Sequence, residues 1–454
     1  MPWESVAITS VIALPALAFT YLALASWFSI RLSEDRINLV VGLSFATAAT
    51  IGTVLVIDIW VHDAVHYHVD LGTFFAVEHY SFHWDLIADR LSLPFVVFSS
   101  VLTGVIGSFS RRYLHREPGY RRFYMLLCMF GAAVNLLVLA ANLDLIFFGW
   151  EIVGLTSALL IAYYDERKKP VEHGLLAFLT YRVCDIGLLG AAVWLHHTVG
   201  TSATVISTPA EQWHGFVVPP HTFDATLIAF LLLWASLGKA AQLPFGGWLP
   251  RAMEGPTPSS AIFYGAISVS LGPYLLLRAA PIIHAAPLSA IAIIGIGGLT
   301  AIQGTLIGRA QTDIKSSLAY ASMAQIGIIY VEIGLGLNLL ALIHIVGHAA
   351  FRSLQILRSP NRIADYHNLE RTIGGPIPET GLHLKKRVPW LVQHWLYRQA
   401  LDRGYFNVFL KEYVVGGFLF LFKKLDDLDN RWVSFLDSKT TFLNPSTRSG
   451  KDQP

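Results

Sequence analysis

A series of apolar stretches, each about 20 residues long, constrains the fold of this chain more than any other feature. An α-helix needs about 20 apolar residues to cross the hydrocarbon core of a bilayer. Charged residues make up only 14% of the chain, against roughly 25% in an ordinary soluble domain. We therefore predict an all-α integral membrane protein with about eleven transmembrane helices, at 7–29, 38–58, 91–110, 123–141, 144–164, 173–195, 223–242, 258–279, 286–307, 314–334 and 338–357.

Basic residues are concentrated in alternate loops of this pattern. Loops rich in lysine and arginine stay in the cytoplasm, so we predict that the N-terminus lies outside and the C-terminus lies in the cytoplasm. The two intervening loops, 59–90 and 197–223, contain a single lysine or arginine, Arg90. The formal net charge of +2 gives no indication of nucleic-acid binding. The basic loops are 111–122, with five arginines, 165–173, with three basic residues, and the turn around Arg309 and Lys315.

The loop 59–90, which we predict to lie outside, is rich in histidine. His62 and His66 have the i,i+4 spacing that metal ligands on one helical face can have, but the simpler interpretation is a solvated, pH-sensitive surface. Within this loop and just beyond it, YSFHWDLIADRLSL alternates between apolar and polar residues, which predicts a short hairpin before the third span. Cys128 and Cys184 lie in apolar segments without metal-ligand spacing. We predict no metal site and no disulfide framework.

Ten ionisable residues lie within the predicted spans, where charge is costly. A charged side chain at the centre of a bilayer costs about 2.5–3.5 kcal/mol on insertion scales, so such residues usually face a polar interior and carry function. A chain of them through a membrane is the usual form of a proton relay. For Glu332 and Arg278, near the outer ends of their spans, solvation is the simpler explanation. The ten residues are Asp144, Glu151, Arg182, Asp185, Lys239, Lys315, Glu332, His344, His348 and Arg352.

Glu151 and Lys239 stand out because each lies in a long apolar run. Lys239 is followed by AAQLPFGGWLPRAMEGPTPSSA, whose prolines predict a broken helix. A membrane protein tolerates such a break only against protein or a water-filled cavity, and transporters use broken helices to build ion sites. We therefore predict that Lys239 exchanges protons and that Glu151 acts as its gate or counter-charge. The alternative is a static buried ion pair. The prolines of the break are Pro244, Pro250, Pro256 and Pro258.

The composition changes after residue 357. Charged residues return, and RVPWLVQHWLYRQALDRGYF has the pattern of an amphipathic helix. The apolar run from Tyr413 to Phe422 is too short to span a bilayer, and the final residues predict a disordered tail. We therefore divide the chain into a transmembrane domain, 1–357, and a cytoplasmic or interfacial helical region, 358–454, that docks a partner and contacts membrane lipid.

Several long motifs resemble one family. WEIVGLTSALLI around Glu151, GKAAQLPFGGWLPRAMEGPTPSSA around Lys239 and QTDIKSSLAYASMAQIG around Lys315 are similar to the antiporter-like family. Its members include the large distal proton-pumping subunit of respiratory complex I and the A subunit of Mrp-type sodium/proton antiporters. LTYRVCDIG and HIVGHAAFRSL match further segments of that family. The resemblance covers roughly residues 80–357 and implies antiporter-like repeats with broken helices.

The resemblance also implies a role for individual residues. Glu151 and Lys239 correspond to the central charged pair of a proton half-channel. The chain departs from the family at two points. Tyr264 stands where the family often has a histidine. The chain also leaves the membrane after the H-x3-H helix, whereas members in complex I continue for several more spans. Arg182 and Asp185 lie in the segment that matches the family's TRVGD, and Arg352 stands in place of the commoner lysine. The resemblance and the buried charges together predict a proton pathway of Glu151, Lys239, Lys315, His344, His348, Asp144, Arg182, Asp185 and Arg352.

The exit segment HAAFRSLQILRSPNRIADYHNLER and the C-terminal LDRGYF…LDDLDNRWV look most like the DabB family, the membrane subunit of the two-part DAB inorganic-carbon accumulation system of bacteria. This resemblance implies a proton-conducting or cation-conducting subunit of the bacterial inner membrane. It also implies a large cytoplasmic partner, DabA-like and similar to a carbonic anhydrase, which holds the zinc while this chain holds no cofactor.

We predict an energy-coupling subunit rather than an enzyme. The sequence has no phosphate-cradling glycine motif, no nucleophile elbow and no haem or iron–sulfur pattern. Two alternatives remain open. The first is a proton-pumping subunit of a redox-driven complex, of complex I or hydrogenase type, or a Mrp-type sodium/proton antiporter. The second is a membrane scaffold that does not conduct.

Overall fold

The computed structural model describes residues 2–77, 80–205, 213–359, 371–375, 388–401 and 416–443. The chain forms two compact units, Met1–Ala400 and Leu401–Pro454. The first unit is built almost entirely of helices, as the apolar stretches predict. The predicted division into two domains at 357 stays a prediction and lies before the boundary between these two units. The predicted tail at the C-terminus lies outside the described residues.

In chain order the elements are α1 (Trp3–Trp27), α2 (Glu34–Val61), β1 (His66–Val77), β2 (Tyr80–Asp89), α3 (Ser92–Tyr113), α4 (Tyr120–Leu139), α5 (Leu143–Ile161), α6 (Lys168–Val199), β3 (Thr204–Val205), β4 (Gly215–Phe216), α7 (Thr222–Lys239), α8 (Thr257–Ser260), α9 (Ile267–Arg278), α10 (Ala280–Ala285), α11 (Pro287–Ala310), α12 (Ile314–Gly334), α13 (Asn338–Leu357) and α14 (Trp390–Leu401); α15 (Gly416–Leu443) lies in the second unit.

Among the described residues, ten helices are long and apolar enough to cross a membrane. They correspond to ten of the eleven predicted spans, with α8 and α9 joined through a π-helical segment, Ala261–Ala266, into one span. The remaining predicted span, 314–334, forms α12. This helix has 21 residues, enough at 1.5 Å per residue for a bilayer core of about 30 Å, but it is less apolar than the other ten. It packs along α11.

A long hairpin covers one end of the helices. Strands β1 and β2 pair antiparallel from His66 opposite Asp89 to Val77 opposite Tyr80. The segment 80–93, predicted to be a short hairpin by itself, instead forms the single strand β2 and the start of α3, and its partner strand precedes it in the chain. An isolated bridge joins Leu86 to Ala140 between α4 and α5. We call this end of the first unit the hairpin face, and the opposite end, with the turns 114–119 and 162–167, the arginine face.

The predicted break in the helix is present directly after Lys239. Helix α7 ends there, and residues 240–256 contain two short 3-10 turns, Gly246–Trp248 and Arg251–Glu254. The freed backbone groups find partners inside the protein: the indole N–H of Trp248 donates to the Gly238 carbonyl at 3.0 Å, and the Leu243 N–H donates to Thr300 Oγ1 at 3.2 Å. These partners make the break compatible with a bilayer.

Candidate functional site

Three helices, α5, α6 and α7, bring the central charged residues together. Helix α5 begins where the side chain of Asn142 accepts a hydrogen bond from the Leu145 N–H at 2.8 Å, which is the N-cap that asparagine favours. Asp144 and Glu151 are seven residues apart on α5, and two turns of a helix place both on one face. Because α6 packs against α5, this face meets Arg182 and Asp185.

Glu151 forms an ion pair with Arg182 of the neighbouring helix. Arg182 Nη2 also lies 2.9 Å from Asp185 Oδ2. The other oxygen of Asp185, Oδ1, accepts a hydrogen bond from the indole N–H of Trp150 at 2.5 Å. Asp185 is 5% exposed at its side chain, against 22% for Glu151 and 34% for Arg182. The guanidinium is therefore shared between two carboxylates.

Lys239 lies beside this group, at the last residue of α7. Its ammonium donates a hydrogen bond to the Trp150 carbonyl at 3.0 Å and lies 4.6 Å from the centre of the Tyr181 ring and 4.8 Å from that of Trp150. The residue is 1% exposed. A cation at a helix C-terminus and over aromatic rings is stabilised without a salt bridge.

The sequence predicted Glu151 as the counter-charge of Lys239, and the structure gives a different arrangement. The ion pair of Glu151 is with Arg182, and Lys239 joins the same cluster through the backbone and ring of Trp150. Gly154 makes room for both cations, because a Cβ at this position would lie 3.0 Å from Lys239 Nζ and 3.5 Å from Arg182 Nη2. We call Glu151, Arg182, Asp185 and Lys239 the central cluster.

The central cluster contains two carboxylates and two cations, so its charges balance when all four groups are ionised. Removing or adding one proton would leave an unbalanced charge in a poorly solvated place, which is costly. The Oε1 atom of Glu151 is buried and has no hydrogen-bond partner in the described structure, so it can accept a proton. The arrangement suits the movement of one charge at a time.

A second polar group lies between α12 and α13. Both ring nitrogens of His344 face acceptors, with Glu332 Oε1 at 2.8 Å and Gln325 Oε1 at 3.0 Å. The side chain of Glu332 is 13% exposed. The prediction that Glu332 is explained by solvation is therefore wrong: it pairs with His344 within the helices. His348 is buried, and its Nε2 lies 3.4 Å from Ser322 Oγ.

The three remaining predicted pathway residues, Lys315, Arg352 and Asp144, are dispersed. Lys315 lines a cavity of about 620 Å³ at the arginine face, together with Glu117, Glu254 and Pro256. Arg352 is 8% exposed, and its Nη1 donates to Gln355 Oε1 at 2.8 Å. The predicted residues thus form a central cluster, a histidine pair on α13 and a group at the arginine face, with Asp144 nearest the hairpin face.

Arg278 also differs from its prediction. It is fully buried and donates to Asp89 Oδ2 at 2.5 Å, to the His214 carbonyl at 2.8 Å and to the Tyr274 hydroxyl at 2.8 Å. Solvation therefore does not explain it. Burial disfavours the charged form of Asp89, but Arg278 outweighs this effect and holds the pKa of Asp89 below its usual value. This ion pair fastens the end of β2 to the end of α9.

Two of the described histidines of the hairpin loop, His62 and His66, have different partners. His62 Nδ1 lies 3.1 Å from an oxygen of Asp58, and the ring of His66 packs against that of His214 with centroids 4.2 Å apart. Within the described part of the chain, no group of three or more histidine, cysteine, aspartate or glutamate side chains has the geometry to hold a metal ion.

Three residues that contact the predicted pathway were not predicted from the sequence: Trp150, Gly154 and His196. A signal for Trp150 exists, since a tryptophan in a buried run needs an acceptor for its indole N–H and therefore points to a polar neighbour. Gly154 lies one helical turn after Trp150, on the face that meets Lys239. His196 lies near the end of α6 and gives no signal until the hairpin face is assembled.

Two family profiles match this chain. The profile described as "NADH:quinone oxidoreductase/Mrp antiporter, TM" matches residues 140–373, a range that includes every residue of the predicted proton pathway. The profile described as "NADH-Ubiquinone oxidoreductase (complex I), chain 5 N-terminus" matches residues 74–124.

Relatives and a solved structure agree with these profiles. NADH-quinone oxidoreductase subunit L of Escherichia coli K12 is 34% identical over 369 residues, which cover 79% of this chain and 57% of the relative. NADH-ubiquinone oxidoreductase chain 5 of Schizophyllum commune is 34% identical over 313 residues, covering 68% and 44%. A chain of the Mrp complex from Dietzia sp. DQ12-45-1b superposes with a TM-score of 0.65 at 26% identity, covering 78% of this chain and 37% of the other. The chain thus spans about half the length of the curated relatives it matches.

Proposed function

Because the chain belongs to the NADH:quinone oxidoreductase/Mrp antiporter family of membrane subunits, we propose that it conducts protons across the membrane through the central cluster. The observation that carries this proposal is the balanced set of two carboxylates and two cations among membrane-spanning helices, with Lys239 at a helix break. Buried ionisable groups in a membrane protein mark ion pathways, and broken helices are where transporters bind ions.

The proposed route begins at the hairpin face, which the positive-inside rule assigns to the outside. Protons pass Asp144, reach the central cluster and continue along the polar groups of α12 and α13, His344 and His348. They leave at the arginine face near Lys315. The membrane potential contributes about 2.3 kcal/mol per charge for each 100 mV, which is enough to bias the conformation of a bound partner.

We further propose that this proton movement energises inorganic-carbon accumulation by a cytoplasmic, carbonic-anhydrase-like partner of the DabA type. The support is the resemblance of the segments after His344 to the DabB family. The zinc and the hydration of CO2 would belong to the partner, and this chain would supply the ion pathway and the docking region after residue 357.

A specific observation favours one alternative, a subunit of a redox-driven proton pump or of a Mrp-type antiporter. The relatives described above carry the names of NADH–quinone oxidoreductase subunits, and the similar structure is that of a Mrp complex. In this alternative the central cluster has the same role and only the source of energy and the partner differ.

Proton flux in right-side-out membrane vesicles tests the pathway. The full chain is co-expressed with its neighbouring genes, and an internal pH dye reports flux under an imposed potential. We expect Lys239→Ala and Glu151→Gln each to reduce the rate by about a hundredfold or more, the lower end of what one positioned proton-transfer group contributes. Lys168 and Glu172, whose ion pair is exposed at 88% and 56% of the two side chains, provide the controls Lys168→Ala and Glu172→Gln. Equal flux in all five proteins, or no flux in the wild type, would contradict the proposal.

Growth in ambient air tests the coupling to carbon. A bacterium that lacks carbonic anhydrase receives this chain together with its neighbouring large-subunit gene, and membrane insertion is checked for each variant. Rescue by the wild type and its loss in Lys239→Ala and Glu151→Gln support ion-coupled carbon uptake. Rescue by all three proteins would indicate a scaffold that does not conduct. Absence of rescue by a well-inserted wild type would favour the redox-pump or antiporter alternative.

A further inference from the structure

Asp144, at the hairpin face, has its own set of partners that the proposed pathway does not yet use. His196 Nε2 of α6 lies 2.8 Å from Asp144 Oδ2, and the hydroxyl of Ser202 donates to the same oxygen. The side chains of His196 and Asp144 are 20% and 14% exposed. The pair is therefore mostly enclosed but retains a limited contact with the surface.

The hairpin supplies a third side chain to this group. The ring of Tyr80, at the start of β2, packs edge-on against the ring of His196 with centroids 4.9 Å apart. Burial and, after it, the nearby Asp144 raise the pKa of Tyr80 to about 12. Its phenol therefore stays protonated at physiological pH and does not compete for the proton of the pair. Three separate segments, β2, α5 and the end of α6, are needed to build this arrangement.

The position of the pair connects it to the central cluster. Asp144 and Glu151 share one face of α5, and seven residues correspond to a rise of about 10 Å. This gap is too wide for direct proton transfer between the two carboxylates. Histidine is the side chain best suited to exchange protons with water near neutral pH.

We propose that His196 is the proton-exchange residue of the hairpin face, which takes protons from the water at that face and passes them to Asp144. In the step, the imidazolium gives its Nε2 proton to the Asp144 carboxylate, which becomes a neutral acid, and the neutral imidazole is then protonated again from water. Of the described residues, the titratable groups that face His196 are Asp144 from α5 and Tyr80 from β2. The inference rests on the proposed proton conduction.

The test compares His196→Gln with His197→Gln in the vesicle assay. His197 is the adjacent residue on the same helix, its side chain is exposed, and its ring contacts Trp194. The pH is varied separately outside, on the hairpin face, and inside. We expect His196→Gln to reduce the rate by about a hundredfold or more and to flatten the dependence of the rate on external pH only. We expect His197→Gln to behave as the wild type.

A second variant, Asp144→Asn, keeps the proposal testable if His196→Gln does not fold. Asp144→Asn keeps the size of the side chain and an oxygen that can accept from Ser202, but cannot hold the proton, so it should also flatten the external pH dependence. Conduction by the wild type with unchanged rate and external pH profile in well-folded His196→Gln would overturn the role of His196 while leaving the proposed function intact. An unchanged Asp144→Asn would overturn both the role of His196 and the Asp144 step of the proposed route. A wild type that does not conduct would instead overturn the proposed function.

Discussion

At the scale of single residues, the buried charges of this chain are arranged in groups whose members come from different helices. The sequence identifies the ionisable residues well, because a glutamate or lysine within an apolar run is conspicuous. It does not identify their partners. Glu151 pairs with Arg182 instead of Lys239, and Arg278 pairs with Asp89, 189 positions away, because pairing depends on how each helix is rotated against its neighbours.

The buried pair Asp89–Arg278 should be a large contributor to stability. Both side chains are fully enclosed, and removing one partner of a buried ion pair costs about 3–5 kcal/mol because it leaves an uncompensated charge. We expect Arg278→Met to lower the unfolding temperature in detergent strongly, and Asp89→Asn/Arg278→Met to recover part of the loss. Arg111→Met is the control, since its pair with Asp35 is exposed and such pairs contribute about 0–1 kcal/mol. Equal losses for Arg278→Met and Arg111→Met would contradict this expectation.

His214 should make stability depend on pH. Burial and, after it, the nearby His66 lower the pKa of His214 to about 4, so the folded protein keeps it neutral, whereas an unfolded histidine takes up a proton near pH 6.5. The stability contributed by His214 is therefore complete above about pH 6.5 and is lost as the pH falls towards 4. We expect the unfolding temperature of the wild type to fall more between pH 7.5 and 4.5 than that of His214→Gln. His221→Gln, at an exposed position, should follow the wild type. A steeper fall in His214→Gln would reverse the proposed sign.

At the scale of elements, the sequence predicts where helices and breaks lie but not how closely they approach. Prolines after Lys239 predict the end of α7, and alternation predicts extended structure at β2, because both are local properties of the chain; the pairing of β2 with β1 is not local and was not predicted. Close contacts between helices are not local. Helices α11 and α12 meet at Gly297 and Gly327, where a Cβ on either glycine would lie within 2.6 Å of the carbonyl oxygen of the other.

This contact predicts that α11 and α12 do not tolerate a methyl group. A Cβ at Gly327 would lie 2.5 Å from the Gly297 oxygen and 2.9 Å from the Ala301 nitrogen, and overpacking of this kind costs about 1–3 kcal/mol. We expect Gly327→Ala to lower the unfolding temperature. Gly298→Ala is the matched control, because a Cβ there would meet no atom within 4 Å and alanine favours a helix by about 1 kcal/mol. If Gly298→Ala proved as damaging as Gly327→Ala, the contact would not be the cause.

At the scale of the whole molecule, the polar groups are distributed through the depth of the helices. The pair of Asp144 and His196 lies towards the hairpin face, the central cluster is at the break after Lys239, and Lys315 is at the arginine face. The sequence predicts that polar residues run through the membrane. It does not predict that His196 lies beside Asp144 and Tyr80, because the hairpin must fold over α5 and α6 before these side chains meet.

The direction of this route depends on the orientation of the chain, which basic loops predict and cysteine labelling can measure. Cys128 and Cys184 are both buried, so single cysteines can be added to the wild-type background. Phe74 on the hairpin is 71% exposed, and the side chain of Lys168 at the arginine face is 88% exposed. Because lysine- and arginine-rich loops remain in the cytoplasm, we expect a membrane-impermeant maleimide to label Phe74→Cys in intact cells. Lys168→Cys should react only after the membrane is permeabilised, and the wild type should remain unlabelled throughout. The opposite pattern would place the hairpin in the cytoplasm, and His196 would then be the residue through which protons leave rather than enter.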